Sequence, residues 1–386
     1  CYNATIYNLQ YRTRIVPPML SARLSGTCLR GFLLCYLLTI SSLPPSFAQT
    51  LTAKPTSSGL LFVGAGCRVT LLDATDNSNL ARLATTNDDI SNPCRPVVGL
   101  GVSTQGNIAL VSSGTHALSM VLLQTSTTSH SASTKKSYNL TIVPVQPVEK
   151  YVTGRIHNGV VSPDGTSEIF FVAANGNNSG AVIAYQISEK KSIGVVSILP
   201  MPCTAVHDVQ PWTSEHVLVS CSTGIVEVLF DGKTLTLAPT RMANTGVGND
   251  GMEVMGRHAY LGAGSAGLRV VDLETRQLVG HADVQGWAGG VKVGGGDVAY
   301  VAADPGLVAY DVSIPAQPRH LWTCALGVEY GGVGWNIALD DVEHVAYVSD
   351  KLGGLFAVDV SNSRVPKAVG HYGSGGMAAC VMREVA

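Results

Sequence analysis

Seven near-repeats of one short apolar phrase, sparse charge and abundant glycine predict an all-β chain folded as a seven-bladed β-propeller. The phrase is clearest at His258–Ala263, Val298–Ala303 and Val345–Asp350. A unit of a few short strands cannot bury both faces of its own sheet, so neighbouring units must stack around an axis. The 42 glycines are typical of tight turns between such strands.

The seven units are located by an apolar triplet that precedes a turn in each of them. The triplet centres are separated by 48, 61, 47, 42, 40 and 47 residues, close to the ~40–50 residues of a four-stranded blade. The longest interval contains the Ser/Thr-rich stretch Thr125–Lys136, which we interpret as a loop insertion. The triplets are Leu61–Val63, Ala109–Val111, Phe170–Val172, Val217–Val219, Ala259–Leu261, Ala299–Val301 and Ala346–Val348.

The two ends of the repeat region complement each other. The first triplet, Leu61–Val63, follows only a leader rich in Pro, Thr and Ser, whereas the strand-like stretch Gly375–Arg383 has no triplet after it. Joined, the two make one complete unit. We therefore expect the C-terminal strand to complete the first blade and close the ring, which leaves only short, protected sheet edges.

The last three units share a longer pattern, nearly complete at Ala299–Pro318. This pattern resembles the LVIVD repeat of bacterial and archaeal secreted propellers. The turn Ser162–Gly165 adds a wider similarity to surface-layer-type (YVTN) and WD40-like propellers. The resemblance implies a fold and an exported protein, with little settled biochemistry attached to it.

An aspartate recurs at the end of one strand in four units. A carboxylate in that place accepts hydrogen bonds from the amides of the following turn. Equivalent outer positions on separate blades cannot converge on one substrate. We therefore expect a structural role for Asp73, Asp272, Asp311 and Asp359.

The first 58 residues differ from the repeats, and the first 48 of them predict export. Residues 31–40 form an apolar run of signal-peptide length, preceded by Arg23 and Arg30. Ser46–Ala48 has the small-x-small form at which signal peptidase cuts, and Met19 is the expected start.

This interpretation divides the chain into three parts. Residues 1–48 are an upstream segment plus signal peptide, residues 49–58 a linker and residues 59–386 the propeller. No further apolar stretch reaches membrane-spanning length. We expect a secreted, extracellular or periplasmic protein that is monomeric.

Six cysteines follow the predicted cleavage site, and an even number fits disulfide bonds in an exported protein. Cys94 and Cys203 each lead into an inner strand, whereas Cys67 and Cys221 lie just after a triplet. These positions share one face of a propeller. We predict the bridges Cys67–Cys94 and Cys203–Cys221.

Counting back from the triplet centres places polar residues on several inner strands at one height in the central channel. Asp208 and Asp250 lie ten residues before the centres at 218 and 260, Asn336 eleven before 347, and Asn158 thirteen before 171 in a longer unit. Adjacent residues on a strand point to opposite faces, so His207 and Asp208 are not expected to form a catalytic dyad.

These residues and their neighbours form a candidate ligand site at the channel mouth. Carboxylate, imidazole and amide groups there could hold a cation such as Ca²⁺ or a polar ligand. The alternative is that they bond to neighbouring backbone and channel water, as polar residues of inner strands must. The candidates are His157, Asn158, His207, Asp208, Asn249, Asp250, Trp287, Trp335 and Asn336.

Composition and motifs limit the function. The chain has 25 basic and 27 acidic residues without a run of five like charges, which argues against a nucleic-acid partner. Neither G-x-S-x-G nor H-E-x-x-H occurs. We expect a non-catalytic scaffold for an extracellular protein or glycan. The alternative is an enzyme with a channel-mouth site, either a lactonase-like hydrolase or a metal- or quinone-dependent oxidoreductase.

Overall fold

The computed structural model describes most of the chain after residue 58. The predicted leader and linker, Asn249 and Cys94 lie outside the described residues. The described ranges are 59–90, 97–113, 118–130, 133–146, 148–163, 165, 167–177, 179–187, 192–239, 243–245, 250–304, 306–326, 334–350, 353–362, 365–373 and 380–381.

Seven antiparallel sheets form the seven blades of a propeller, and the described residues are strands, turns and irregular segments throughout. The strands of the first four blades are β1 (Leu60–Ala65), β2 (Arg68–Asp73), β3 (Ala81–Thr85), β4 (Gly99–Val102), β5 (Ile108–Ser112), β6 (Leu118–His130), β7 (Ser133–Val145), β8 (Val152–Ile156), β9 (Val160–Val161), β10 (Glu168–Asn175), β11 (Gly180–Ile187), β12 (Ile193–Pro200), β13 (Val206–Pro211), β14 (His216–Cys221), β15 (Gly224–Phe230) and β16 (Leu235–Leu237).

In blades 5 to 7 the strands follow the chain from the channel outward. They are β17 (Gly251–Met255), β18 (His258–Gly262), β19 (Leu268–Asp272), β20 (Gln277–Ala282), β21 (Ala288–Gly294), β22 (Val298–Ala303), β23 (Gly306–Asp311), β24 (Arg319–Ala325), β25 (Gly334–Asp340), β26 (Val345–Asp350), β27 (Gly354–Asp359) and β28 (Lys367–Tyr372). The last strand, β29 (Cys380–Val381), belongs to blade 1. The inner strands of blades 1 to 7 are β29, β4, β8, β13, β17, β21 and β25.

The core lies between the blades. The triplets occupy the second strand of each blade, and every residue of β22 and β26 is buried. Such strands are apolar on both faces because a neighbouring blade covers each face. Between blades 3 and 4, for example, the rings of Phe171 and Phe230 meet edge to face with centroids 5.3 Å apart.

The predicted closure of the ring is confirmed. Strand β29 pairs antiparallel with β1, joining Leu61 to Val381 and Phe62 to Cys380. The last strand of the chain is therefore the innermost strand of the first blade. In the part of the chain that the structure describes, no helix is long and apolar enough to cross a membrane.

The interpretation of Thr125–Lys136 as a loop is wrong. Strands β6 and β7 pair from Leu118 and Val145 out to His130 and Ser133, so the blade 2 hairpin is extended. Threonine is a β-branched residue that favours strands, and hydroxyl pairs can link the two strands. The Oγ atoms of Ser126 and Ser137 are 2.6 Å apart.

The repeated aspartates cap turns, as predicted. In each case Oδ1 accepts a hydrogen bond from a backbone amide two or three residues later. The amide donors are Thr75 to Asp73 at 2.9 Å, Thr275 to Asp272 at 2.9 Å, Ser313 to Asp311 at 3.0 Å and Ser361 to Asp359 at 2.9 Å.

One of the two predicted disulfides is present, and one cysteine of the second pair is also disulfide-bonded. Cys203 and Cys221 are bonded, with their Cα atoms 6.0 Å apart. Cys67 is also disulfide-bonded, and its pairing with Cys94 remains a prediction. Cys324 is a free thiol whose pKa is raised by burial.

Ring closure predicts the effect of shortening the C-terminus. Deleting residues 380–386 removes β29 and leaves β1 without its inner partner, so the melting temperature should fall by several degrees or more. Calorimetry of the purified protein measures this. Deleting only residues 382–386 keeps β29 and is the matched control, which should melt at a higher temperature than the longer deletion. Equal melting of both truncated forms and the full chain would contradict the closure.

Candidate functional site

One arginine spans the central channel. Arg155, on β8 of blade 3, places Nη1 3.6 Å from Oδ2 of Asp208 in blade 4 and 3.5 Å from Oδ1 of Asn336 in blade 7. The side chains of Arg155 and Asp208 are only 14% and 9% exposed. Three blades are therefore joined through one guanidinium group.

A glycine on the neighbouring inner strand leaves room for the Asn336 side chain. A Cβ atom at Gly290 would lie 2.3 Å from Oδ1 of Asn336, so a larger residue there would displace it. Gly251 instead lets the inner strands of blades 5 and 6 approach each other, because a Cβ atom there would lie 2.8 Å from the carbonyl oxygen of Gly289. The same Cβ would be only in ordinary contact with Nη1 of Arg155, at 3.4 Å.

Asp208 is held by donors on both of its oxygens. Oδ1 accepts from the amide of Val209 at 2.8 Å, and Oδ2 accepts from the amide of Met252 in blade 5 at 3.0 Å. Burial raises the pKa of Asp208, and Arg155 is the largest opposing influence. The carboxylate therefore links blades 4 and 5 and depends on a cation from blade 3.

A second polar group lies at the channel mouth, where the inner strands begin. Nε1 of Trp287 donates a hydrogen bond to Oδ2 of Asp250, and Nδ1 of His207 lies 3.8 Å from Oδ1 of the same carboxylate. His207 and Asp250 are partly exposed, at 33% and 19% of their side chains. The indole packs over Gly264, where a Cβ would come within 2.9 Å of the ring.

The two adjacent residues His207 and Asp208 face different partners, Asp250 and Arg155 respectively. Burial lowers the pKa of His207, although Asp250 opposes this effect. A lowered pKa favours the neutral imidazole at neutral pH. The mouth therefore combines an uncharged imidazole, a carboxylate and an indole.

A deeper polar layer lies opposite the triplet centres. His157, Gln210, Glu253 and Lys292 face the centres at Phe171, Leu218, Tyr260 and Tyr300, which puts all four at one level. Glu253 and Lys292 form an ion pair. Burial, with a smaller contribution from Lys292, lowers the pKa of His157 to about 4.

The predicted level of Asn158 is wrong. Its Oδ1 accepts from the amide of Val102 in blade 2 at 3.0 Å, below the level of Asp208. The β8–β10 hairpin of blade 3 is longer on both of its strands. The distance back from the triplet centre must therefore include the extra residues of both strands, whereas the prediction included those of only one. Arg155 occupies the level predicted for Asn158.

The other predicted residues are distributed between these levels. Asp208 and Asn336 share the level of Arg155, and His157 lies in the deeper layer. His207, Asp250 and Trp287 meet at the mouth. The prediction that Asp250 shares the level of Asp208 is therefore wrong: Gly251 pairs two residues beyond its triplet centre, as Asp208 does, and Asp250 lies one residue nearer the mouth. Half-buried Trp335 precedes Asn336 on β25, with its carbonyl against Gly289.

Sequence reasoning missed Arg155, Gln210, Glu253 and Lys292. The available signal was a charged or amide side chain on an inner strand, in a chain with only 13% charged residues. The same contacts bear on the cation, such as Ca²⁺, that the sequence analysis considers for this site. Among the described residues, no group of three or more His, Cys, Asp and Glu is placed to bind a metal ion, and Asp208 is already engaged by amide and guanidinium donors.

Seven blades around a polar channel define the protein as a β-propeller. Residues 285–324 and 332–373, which cover blades 6 and 7, match the LVIVD repeat family model. The chain thus carries LVIVD repeats, as the sequence pattern predicts. No curated protein matches it.

Solved structures show the same fold at low sequence identity. A functionally unknown protein from Desulfotomaculum acetoxidans DSM 771 aligns with a TM-score of 0.58 and 14% identity over 84% of this chain and all of the other. U3-55K aligns at 0.57 and 10% identity, covering 78% and 88% of the two chains. Sqt1 from Chaetomium thermophilum aligns at 0.52 and 11% identity, covering 83% and 86%. These similarities show the fold alone.

The channel network predicts a pH-dependent loss of stability when Arg155 is replaced. Arg155→Met leaves Asp208 buried without its cation and should lower the free energy of unfolding by about 3 kcal/mol at pH 7. Because the folded-state pKa of Asp208 is raised, its protonated form is favoured by folding, and stability is lost as pH rises above the ordinary value near 4. The deficit should therefore shrink towards pH 4.

Urea unfolding at pH 4 and pH 7 measures this difference. Arg68→Met is a matched control because Arg68 and Asp89 form an exposed pair, worth less than about 1 kcal/mol. Combining Arg155→Met with Asp208→Asn removes the titrating group, so the deficit of the double variant should be the same at pH 4 and pH 7. A deficit of Arg155→Met alone that is the same at both pH values would show that Asp208 is not responsible.

Proposed function

We propose that this protein is an exported, non-catalytic binding propeller whose channel mouth takes a glycan. The observation that carries the proposal is the group formed by Trp287, Asp250 and His207, which is partly exposed at the start of the inner strands. An aromatic surface beside a few fixed polar groups is the usual composition of a small-ligand site. A sugar ring has both an apolar face for the indole and hydroxyls for the carboxylate and imidazole.

The contacts around the mouth support binding in preference to catalysis. Asp250 is engaged by the indole of Trp287, and Asp208 below it by two amides and Arg155. Such contacts hold the carboxylates in place as fixed acceptors. A rigid acceptor array needs little ordering when the ligand binds, which favours affinity.

Export is supported by sequence and by disulfide chemistry. The leader carries basic, apolar and small-residue parts in the order of a signal peptide. The Cys203–Cys221 bond and the bonded Cys67 fit an oxidising compartment.

A glycan array followed by titration calorimetry tests the binding proposal. Asp250→Asn removes the charge at the mouth without changing its shape and should weaken binding of an array hit at least tenfold. Asp297→Asn is the matched control, because Asp297 lies exposed in the turn between β21 and β22 at the other end of the strands. This variant should bind the array hit with the affinity of the wild type. Absence of any glycan hit, or equal affinity in the wild type and both variants, would refute the proposal.

The same variants separate binding from catalysis. The pair His207 and Asp250 is the feature that favours the alternative, a hydrolase with a site at the mouth. Turnover of a lactone or glycoside by the wild type, with loss in Asp250→Asn at unchanged folding, would replace the binding function with an enzymatic one.

The export proposal has its own measurement. Expression from Met19 in a secreting host should release a protein that begins at Gln49, as determined by mass spectrometry of the N-terminal peptide. Substituting Ala48→Arg should block cleavage at this position, whereas Ala53→Arg should not. A protein that stays in the cell with residues 19–48 attached would contradict export.

A further inference from the structure

One oxygen of the carboxylate at the channel mouth is available to a ligand. Oδ2 of Asp250 accepts the hydrogen bond from the Trp287 indole, whereas Oδ1 lies 3.8 Å from Nδ1 of His207, which is beyond hydrogen-bond distance. Within the part of the chain that the structure describes, Oδ1 accepts no hydrogen bond. The Asp250 side chain is partly exposed, so a donor on a bound ligand can reach this oxygen.

The charges deeper in the channel balance one another. Arg155 and Asp208 have opposite charges and lie 3.6 Å apart, and Glu253 and Lys292 form an ion pair. The remaining charged residue of the described inner strands is Asp340, which accepts hydrogen bonds from turn amides at the far end of β25. The inner strands therefore supply no spare positive charge to the carboxylate at the mouth.

The histidine beside Asp250 does not neutralise it either. His207 is the one basic residue within ion-pair distance of Asp250 among the described residues. Burial lowers the pKa of His207 and Arg155 lowers it further, against the opposing effect of Asp250. The imidazole is thus mainly uncharged at neutral pH. The group formed by His207, Asp250 and Trp287 carries one negative charge beside an aromatic ring.

We infer that the ligand of the mouth is an amino sugar whose ammonium group pairs with Asp250, an inference that rests on the proposed glycan-binding function. The ammonium group supplies both the hydrogen-bond donor for Oδ1 and the positive charge that the mouth lacks. Tryptophan is also the most favourable aromatic neighbour of a cation. An N-acetylated sugar has the same ring without the charge, and a sugar acid would place a second carboxylate beside Asp250.

A pair of matched glycosides tests the preference. Methyl glucosaminide and methyl N-acetylglucosaminide are titrated into ¹⁵N-labelled protein at about pH 7, where most of the free amine is protonated. The indole signal of Trp287, assigned with Trp287→Phe, reports binding because this indole is bonded to Asp250. The Kd of the wild type should be on the order of tenfold lower for the amine, since the charged pair adds to its affinity.

Two variants and a third probe attribute the preference to Asp250. Asp250→Asn keeps the shape of the mouth and should reduce the ratio of the two Kd values to about one, whereas Asp297→Asn, at the other end of the strands, should keep the ratio of the wild type. Ethanolamine, an amine without a sugar ring, should bind more weakly than methyl glucosaminide. Thermal melting verifies that each variant is folded.

Three results would overturn the inference: equal affinity of the wild type for the two glycosides, a preference that persists in Asp250→Asn, or tighter binding of ethanolamine than of the amino sugar. In each of them the glycan proposal stands as long as the N-acetylated glycoside binds. Failure of both glycosides and of the glycan array to bind would instead refute the proposed function, and the amino-sugar inference with it.

Discussion

Closure of the ring is the constraint on which the rest of the structure depends. Each blade is a sheet with two apolar faces, and each face is covered only because another blade stands beside it. Blade 1 obtains its innermost strand from the end of the chain, through the pairing of Leu61 with Val381. Without that pairing the cluster that joins Phe62 to blade 2 would border an incomplete sheet. The core, the channel and the proposed site presuppose the completed circle.

When the ring closes, polar side chains of the inner strands come together in the central channel. In the described sheets the inner strands are edge strands on the channel side, so polar groups there bond to one another across the axis or to water. Arg155 joins three blades through Asp208 and Asn336, and the lack of a side chain at Gly290 leaves space for Asn336. The deeper ion pair of Glu253 and Lys292 follows the same principle. The proposed glycan site accordingly lies at the mouth of the channel.

The sequence predicted the features that repeat, and failed where one unit departs from the others. The triplets and the C-terminal strand were predictable because spacing and apolar pattern alone define them. Asp208 and Asn336 were placed at one level because the hairpins of their units differ in length by only one residue. Asn158 was misplaced because the extra length of its hairpin adds to both strands. The reach of Arg155 to a residue 181 positions away depends on the channel's width, which no local pattern encodes.

The closing pair of strands also determines how the molecule would respond to tension. Leu61 lies beside Val381, so the chain enters β1 and leaves β29 at the same end of the sheet. A pull on the two termini would load the interstrand hydrogen bonds one after another, as in opening a zipper, since the strands are antiparallel and are not sheared past each other. Tethered between two anchors, the propeller should yield at low force and begin to open at blade 1.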